Sequence, residues 1–321
     1  MTVTPFRCSS AERLAQVLAS DPAIPYRAHR NRIGHRPFDH WATDRSARLL
    51  CSATGAFETA TGAVAWRVLP WDSEMFGFRA ARIDVLAVSG GYSEARENAS
   101  LLLMQVVDAA SAAQIRHLVT RIDASSLAQA HALADNGFEL IDGIQTFALD
   151  LRCRPSSGED PAVNTRLATL ADAGPIAEIA RTSFVYDRFH NDVSIGAEAA
   201  DLLHEAWAHN SLTGQAADAL LVAAERPDII DAFVTIRIDS NSAAALGVRF
   251  ASIPLVATSQ RARGKGAARR ATEAALAWCQ AKQVDTVEVG TQLSNLPAAR
   301  LYQSVGFRTT AISLTYRKLI E

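Results

Sequence analysis

The second half of the chain repeats the pattern of the first when residue 115 is aligned with residue 284 without a gap. In this alignment the pair Gly137-Phe138 falls opposite Gly306-Phe307. Self-similarity at a fixed spacing is the mark of a duplicated fold. The sequence therefore predicts two domains of one fold, which suits a chain of 321 residues because single domains average about 150.

The two copies differ at positions that carry chemistry in the second. Leu133 stands opposite Tyr302, and Arg96-Glu97 stand opposite Lys265-Gly266, so the alignment leaves the first copy without a glycine turn. We therefore expect the first domain to be degenerate and the second to bind the main ligand.

A segment rich in Pro, Gly, Ser and charged residues lies near the middle of the chain, at residues 153–161. This composition is typical of a linker between domains. We predict domains over residues 1–152 and 165–321, joined by a linker over residues 153–164.

Apolar periodicity predicts an α/β fold in the second half. Two helices, near residues 170–180 and 197–210, flank an irregular polar loop over residues 186–192. The elements that follow are a hairpin of strands 220–224 and 232–238 around residues 226–228, a strand 250–257 interrupted by Pro254, a helix 267–282, a strand 284–290, a helix 295–304 and a strand 311–319.

A basic glycine turn, Arg261-Ala262-Arg263-Gly264-Lys265-Gly266, connects the interrupted strand to the next helix. Its glycines let the backbone approach a ligand closely, with successive N–H groups pointing outward. The helix end that follows favours a nearby anion by roughly 0.3–1 kcal/mol, yet Arg269 and Arg270 place further cations there. These features predict an anion site, and a solvated basic turn is the alternative.

One strand after this turn comes the spacing Asn295-x-x-Ala298-x-x-Leu301-Tyr302-x-x-x-Gly306-Phe307. Together with Arg261-x-x-Gly264-x-Gly266, it resembles the GNAT acetyltransferase superfamily. The two motifs cover roughly residues 250–310, and the elements predicted from Leu170 onward agree with that fold. The resemblance implies an α/β chain of two GNAT-like mixed-sheet domains, with the N-terminal one degenerate and the second binding acetyl-CoA.

In that family the strand before the glycine turn has a bulge and diverges from its neighbour. Pro254 suits such a place, because proline is confined to edges and bulges. The resemblance implies that backbone N–H groups near Leu255 and Ala257 bind the thioester oxygen and the cofactor amides. The implied cofactor-binding residues are Leu255, Val256, Ala257, Arg261, Arg263, Gly264, Lys265, Gly266, Ala267, Asn295 and Ala298.

Tyr302 is the implied proton donor to the departing thiolate. Acetyl transfer to an amine requires a neutral amine, a stabilised oxyanion and a proton for the sulfur, and it requires neither a metal nor a covalent nucleophile. A phenol with a pKa near about 10 can supply that proton. The alternative for Tyr302 is a half-buried aromatic residue on a short helix.

A run of aromatic and acidic residues in the first half, 69–78, is not required by any regular element. Together with segments 182–192 and 289–292, it resembles the dTDP-fucosamine acetyltransferase branch of the superfamily. That resemblance spans about residues 64–321. It implies a small-molecule amine as acceptor, an amino sugar linked to a nucleotide, with acceptor contacts in the first domain.

The acceptor ammonium must lose a proton to a carboxylate, a histidine or a water chain. The candidate bases are Glu74 in the aromatic run, and Asp187 and His190 in the polar loop of the second half. Asp72 and Asp192 are rivals. The alternatives are a capping role for the carboxylates and a solvated position for the histidine.

Arginine and histidine crowd residues 26–50. A solvated arm is the first interpretation. The second is contact with the acceptor's pyrophosphate, because guanidinium groups pair with phosphate in a bidentate way. Contact with RNA is the third.

Composition limits the other classes of function. The net charge of −2 does not indicate a global nucleic-acid surface, although RNA contact stays open. Because Cys8, Cys51, Cys153 and Cys279 lack metal-site spacing, we expect free thiols and no metal. The most apolar run, residues 101–107, is far shorter than the roughly 20 residues of a membrane span. No signal-peptide pattern is present either, so a cytoplasmic protein without membrane contact is expected.

Two other functions share parts of this pattern. A transferase for peptides or RNA-borne amino acids keeps the same chemistry with a different cleft. A non-catalytic acyl-CoA-binding protein needs the glycine turn but has no use for Tyr302 as a proton donor.

Overall fold

A computed structural model of the protein describes residues 4–5, 17, 21–154, 164–226 and 229–321. Most of the predicted linker, the centre of the predicted turn at residues 226–228 and Cys8 lie outside these residues. The chain forms two compact units, Met1–Ile144 with Ile312–Glu321, and Gln145–Ala311. In the described ranges, no helix combines the length and apolar character needed to cross a membrane.

The first unit is built on a mixed sheet. Its strands are β1 (Thr4–Pro5), β2 (Gly55–Glu58), β3 (Gly62–Val68), β4 (Ala80–Val88) and β5 (His117–Asp123), and its helices are α1 (Arg30–Ile33), α2 (His35–Ser52), α3 (Pro70–Phe76), α4 (Tyr92–Ala112) and α5 (Leu127–Asp135). The strands lie in numerical order, β4 and β5 are parallel, and the last residues of the C-terminal strand pair antiparallel with β5.

The second unit repeats this design. Its strands are β6 (Glu139–Asp150, from residue 145), β7 (Thr165–Leu167), β8 (Ala219–Ala223), β9 (Ala232–Asp239), β10 (Phe250–Ile253), β11 (Val256–Thr258), β12 (Thr286–Gln292) and the start of β13 (Arg308–Leu319). Its helices are α6 (Ala173–Ser183), α7 (Arg188–Asn191), α8 (Ala197–Leu212), α9 (Ser240–Leu246), α10 (Ala267–Ala281) and α11 (Leu296–Val305). The strand order is β6-β12-β10-β9-β8-β7.

Helices cover both faces of the second sheet. Alternate residues of β8 belong to different cores: Leu221 packs with α10, whereas Leu220 and Val222 pack with α6 and α8. Because successive side chains of a strand point to opposite faces, a strand covered on both sides is apolar throughout. This explains the continuous apolar run of β8 in the sequence.

The internal repeat predicted from the sequence is confirmed by the bounds of the elements. β5, α5 and β6 begin at residues 117, 127 and 139, and β12, α11 and β13 begin at 286, 296 and 308, a constant shift of 169. α4 has 21 residues and α10 has 15, the extra residues of α4 lying at its N-terminal end. The glycine pair Gly90-Gly91 therefore directly precedes α4, and the prediction that the first copy lacks a glycine turn is wrong. An alignment without gaps cannot show that α4 is longer than α10.

The glycine pair of the first unit has an exposed carboxylate beside it. A Cβ atom at Gly90 would lie 2.5 Å from Oε2 of Glu94. A carboxylate of the first helical turn thus occupies the space beside the glycine, where it repels an anionic ligand. That the first unit is degenerate stays a prediction.

Residues 26–50 do not form the solvated arm that their charge predicted. They contain α1 and most of α2, and Phe38, Trp41 and Leu50 of α2 are buried. Arg30 donates two hydrogen bonds to Asp39, at 2.9 and 2.6 Å. The apolar residues repeat at helical spacing between the basic ones, and the density of charge concealed that spacing.

The prediction of free thiols is wrong for Cys51, which is disulfide-bonded. Cys153 and Cys279 are free. Pairing depends on the approach of Cα atoms to about 4.4–6.8 Å in the fold, and spacing along the sequence does not report this approach.

The start of α6 is fixed by an ion pair between the half-exposed Arg166 and the buried Asp172, and this arrangement makes stability depend on pH. Arg166 donates to both oxygens of Asp172, at 2.7 and 2.8 Å, and the Thr169 N–H donates to the same carboxylate. These bonds lower the pKa of Asp172 to about 2. A lowered pKa gives stability that is present above the unfolded-state pKa and is lost as pH falls through the folded-state value.

We therefore expect Asp172→Asn to lower the free energy of unfolding by about 1–2 kcal/mol at neutral pH, with the difference shrinking as pH falls from about 4 toward 2. Urea unfolding at several pH values measures this difference. Glu198→Gln, which removes an exposed carboxylate from α8, is the matched control. A pH-independent gap between wild type and Asp172→Asn would contradict the linkage.

Candidate functional site

The interrupted strand of the second unit forms two short strands separated by a bulge. β10 pairs with both β9 and β12, whereas β11 pairs with β9 and, among the described residues, with no other strand. Between Ser252 and Val256 the chain advances four residues while β9 advances three. This extra residue is a β-bulge around Pro254, where the interruption was predicted. Beyond the bulge, β11 and β12 leave a wedge between them.

The main-chain N–H groups of β11 divide between the two sides of the strand. Leu255 faces β9, because its carbonyl accepts from the Thr235 N–H at 3.0 Å and its N–H donates to Thr235 Oγ1 at 2.9 Å. Ala257 pairs with Phe233 in the same ladder. Because ladder groups alternate, the N–H of Val256 points away from β9 and into the wedge. Of the three residues expected to line the cofactor, Val256 has the available N–H group.

The glycine turn that follows β11 holds two left-handed residues, Gly264 with φ of 75° and Gly266 with φ of 78°. The Lys265 N–H is bonded within the turn, to the Ala262 carbonyl at 3.2 Å. The N–H groups of Gly264, Gly266 and Ala267 have no acceptor in the described part of the chain. The space above Gly264 is open, since an added Cβ would meet nothing within 4 Å. The turn presents unpaired donors at the start of α10, as an anion site requires.

The basic residues of the turn have different tasks. Arg261 connects the turn to the segment before β9, because it donates to the Ile230 carbonyl at 2.8 Å and to Asp231 Oδ1 at 3.0 Å. Arg263 and Lys265 are exposed, and no side-chain partner of either lies within the described ranges. Arg261 therefore shapes the turn, and the other two are available to a ligand.

Tyr302 is 3% exposed and lies in the core beneath α11. Its ring packs edge-on against Phe147 and Phe307, with centroids 5.7 and 5.9 Å apart. Burial raises the pKa of its phenol well above the ordinary value. The hydroxyl therefore stays protonated at neutral pH.

Asn295 and Ala298 form the cap of α11. The Asn295 Oδ1 atom accepts from the Ala298 N–H at 3.2 Å, which satisfies one of the unpaired donors at the start of the helix. Because the cap uses Asn295 Oδ1, the amide nitrogen of Asn295 is the group available for the expected contact with the pantetheine arm.

Asp187 and His190 lie together in the segment expected to be an irregular loop. That expectation is wrong for residues 188–191, which form α7 because Asp187 caps them, accepting from the Phe189 N–H at 2.8 Å. His190 Nδ1 lies 2.7 Å from Asp187 Oδ2, and its Nε2 lies 3.1 Å from Asp201 Oδ1. Burial lowers the pKa of His190, but the bonds to the two carboxylates outweigh it and raise the pKa overall.

A second histidine, which the sequence reasoning missed, packs against this pair. His204 of α8 is 2% exposed, and its Nε2 atom lies 3.8 Å from Asp187 Oδ2. Its ring stacks on Phe184 at 4.4 Å. Burial lowers the pKa of His204.

The family model for the acetyltransferase (GNAT) family matches residues 182–307. This match begins at the end of α6 and ends after α11, so it contains the wedge, the glycine turn and Tyr302. The chain contains a GNAT acetyltransferase domain. Residues 182–307 thus match a family of acetyltransferases.

Two curated proteins are similar to the chain in sequence. The spore coat polysaccharide biosynthesis protein SpsD of Bacillus subtilis is 29% identical over 136 residues, 42% of this chain and 44% of that protein. The match thus spans less than half of SpsD. A dTDP-fucosamine acetyltransferase of Escherichia coli is 24% identical over 238 residues, 74% of this chain and 91% of that protein.

Solved structures share the fold over the full length. A GCN5-related N-acetyltransferase from Sphaerobacter thermophilus has a TM-score of 0.64 at 14% identity, covering 100% of this chain and 96% of that one. A tandem GNAT protein from the clavulanic acid biosynthesis pathway has a TM-score of 0.60 at 15% identity, covering 100% and 98%. The tandem arrangement of GNAT folds predicted from the repeat is confirmed.

Glu74 lies in the unit that does not contain the GNAT match. The run 69–78, which no regular element was expected to require, forms α3: Pro70 opens the helix and Gly77, with φ of 70°, closes it. Glu74 is exposed on this helix. Pro70 and Gly77 are ordinary signals for the start and the end of a helix, but the aromatic residues between them made these signals hard to recognise.

The GNAT domain depends on further residues that sequence reasoning missed. The Asp231 carboxylate accepts hydrogen bonds from the Arg261 side chain and from the Glu225 N–H, both at 3.0 Å. The Thr235 Oγ1 atom accepts a hydrogen bond from the Leu255 N–H. Asp231 lies between the apolar pair 229–230 and the apolar start of β9, and an acidic residue within such an apolar run was a signal that could have identified it.

Proposed function

We propose that the protein transfers an acetyl group from acetyl-CoA to the amino group of a small molecule, by direct attack in a ternary complex. The observation that carries this proposal is the wedge beside β11, into which the Val256 N–H points, followed in the chain by the open glycine turn. A strand that opens beside an anion site suits an extended ligand with a phosphate group at one end.

The residues present fit acetyl-CoA. The unpaired N–H groups of Gly264, Gly266 and Ala267 would hold its pyrophosphate, and Arg263 and Lys265 would add charge. Acetyl-CoA supplies an acyl group activated by its thioester. The Val256 N–H would donate to the oxygen where negative charge develops, a contact that is strong in a water-excluded site.

The proton steps fall to Tyr302 and to water. The Tyr302 hydroxyl donates a proton to the departing sulfur. Both nitrogens of His190 already face carboxylates, so neither has a free lone pair for the acceptor ammonium, and Asp187 is occupied as the cap of α7. With neither candidate base of the second unit available, the proposal assigns this step to water. Cys279 is buried, with its pKa raised to about 12, so it forms no acyl-enzyme.

The acceptor is a nucleotide-linked amino sugar. Support comes from the names of the two curated relatives, one a sugar acetyltransferase and the other a polysaccharide biosynthesis protein. In this proposal the second unit binds acetyl-CoA, and contact of the first domain and Glu74 with the acceptor stays a prediction.

The test is release of free thiol from acetyl-CoA in the presence of nucleotide-linked amino sugars, simple diamines, peptides and aminoacyl-RNA. We expect release with the nucleotide sugars, and a KM that rises with salt for them but not for simple amines. Release only with peptides or RNA would overturn the acceptor class. Coenzyme A binding without release for any amine would overturn the transferase, and an acetylated enzyme would overturn direct transfer.

A further inference from the structure

Three donor atoms converge between α7 and α8 in the second unit. Asp187 Oδ2, His190 Nδ1 and His204 Nε2 all lie within 4.8 Å of one another. Their side chains are 10%, 15% and 3% exposed. The acetyl-transfer chemistry described above leaves all three without a task.

The second nitrogen of each histidine is held by an outer acceptor. His204 Nδ1 lies 2.8 Å from the Ala200 carbonyl. Because a carbonyl only accepts, Nδ1 carries the hydrogen, and in the neutral ring the lone pair is on Nε2, facing Asp187. His190 Nε2 contacts Asp201 Oδ1 at 3.1 Å. Metal-binding histidines are held in this way, each with its outer N–H on a carboxylate or a carbonyl.

Asp187 is oriented in the same manner. Its Oδ1 atom accepts from the Phe189 N–H at 2.8 Å and from the His190 N–H at 3.3 Å. The other oxygen, Oδ2, is therefore turned toward the two rings. The stacked Phe184 ring closes one side of His204, which limits water at the cluster.

We propose that Asp187, His190 and His204 bind a divalent transition-metal ion, with zinc the best match. Two nitrogens and one carboxylate oxygen are ligands that zinc prefers, at about 2.0–2.2 Å. Ligands of one tetrahedral zinc lie roughly 3.3 Å apart by that geometry. The 2.7 Å pair must therefore open and the 3.8 Å pair close by about half an ångström each, and the two histidine nitrogens, which lie within 4.8 Å of each other, must approach by up to about 1.5 Å. The ion takes the place of the proton on His190 Nδ1.

The ion would serve the fold rather than the transfer reaction. It ties the turn of α7 to α8, two elements whose ligands are well separated in the sequence. The helix before that turn, α6, ends at Ser183, whose hydroxyl donates to the Thr258 carbonyl of β11 at 3.1 Å. A metal here therefore stabilises the segment that leads away from the wedge, and binding to the folded state alone raises thermal stability.

The experiment measures metal on tag-free full-length protein. The protein is dialysed against a slight excess of zinc, desalted and analysed for bound metal by plasma mass spectrometry, and Co²⁺ is added to metal-free protein as a spectroscopic probe. We expect one equivalent of zinc, a higher midpoint of thermal unfolding with zinc, and visible Co²⁺ absorption bands typical of tetrahedral coordination.

Variants separate the site from adventitious binding. His204→Gln and Asp187→Asn should lose the stoichiometric metal and the Co²⁺ bands, and Asp201→Asn should weaken affinity about 10- to 100-fold. His209→Ala removes an exposed histidine of the same helix and should change nothing. Wild type without stoichiometric zinc, or His204→Gln that binds zinc as wild type does, would overturn the proposal and leave the cluster as a hydrogen-bonded ion pair. None of these measurements depends on acetyl transfer.

Discussion

Replacing Tyr302 by Phe is expected to lower kcat by about 100- to 1000-fold while leaving the affinity for coenzyme A within about twofold. The variant keeps the ring packed between Phe147 and Phe307 and removes only the hydroxyl. Without that hydroxyl the sulfur must leave as a bare thiolate in a cleft with little water. Steady-state kinetics of thiol release, together with calorimetric binding of coenzyme A, measure the two quantities.

Tyr316→Phe is the control for this prediction. Tyr316 is also buried, at 8% exposure, but lies in the first unit, so its loss should leave kcat unchanged. Equal thermal unfolding of both variants would show that the core is intact. Unchanged turnover in Tyr302→Phe would exclude the residue as the proton donor.

The order of elements in the second unit was predictable because each carries a local signal. The apolar runs of β8 and β9, the glycines before α10 and the Asn295 cap of α11 are all signals carried by neighbouring residues. The shift of 169 residues between the halves was also visible, because β5, α5 and β6 keep the same spacing along the chain as β12, α11 and β13.

The residues missed by sequence reasoning are those whose partners are distant in the sequence. His204 lies on the buried face of α8, where a histidine reads as one more core position. Its significance comes from Asp187 and His190, which reach it only through the fold. The same holds for Asp231, which meets Arg261 across 30 residues. Contacts of this kind depend on tertiary packing and leave no local pattern.

The direction of the β11 N–H groups could not be read from the sequence either. Pro254 indicated a bulge, but a bulge changes which residues face the neighbouring strand. The family resemblance pointed to Leu255 and Ala257, and the register places Val256 in the wedge instead. A difference of one residue reverses the side to which a backbone donor points.

A negative charge placed in the glycine turn is expected to weaken the binding of coenzyme A strongly. Gly264 has φ of 75° and open space around it, and Asn and Asp tolerate this backbone region better than other residues with a side chain. Gly264→Asp and Gly264→Asn therefore impose the same backbone cost and differ only in charge. A carboxylate near the ligand's phosphates costs about 2 kcal/mol at an effective dielectric of about 20, so the Kd of coenzyme A should rise about 30-fold more in Gly264→Asp than in Gly264→Asn.

A substrate without phosphates decides whether the pyrophosphate is the group that is repelled. Acetyl-pantetheine keeps the thioester and the amides, so its kcat/KM should be the same in Gly264→Asp and Gly264→Asn. The difference with acetyl-CoA should also shrink as ionic strength rises, because exposed charges are screened over about 10 Å at 0.1 M salt. If the two variants bind coenzyme A equally at low salt, the phosphates lie elsewhere and the turn is no more than a solvated basic loop.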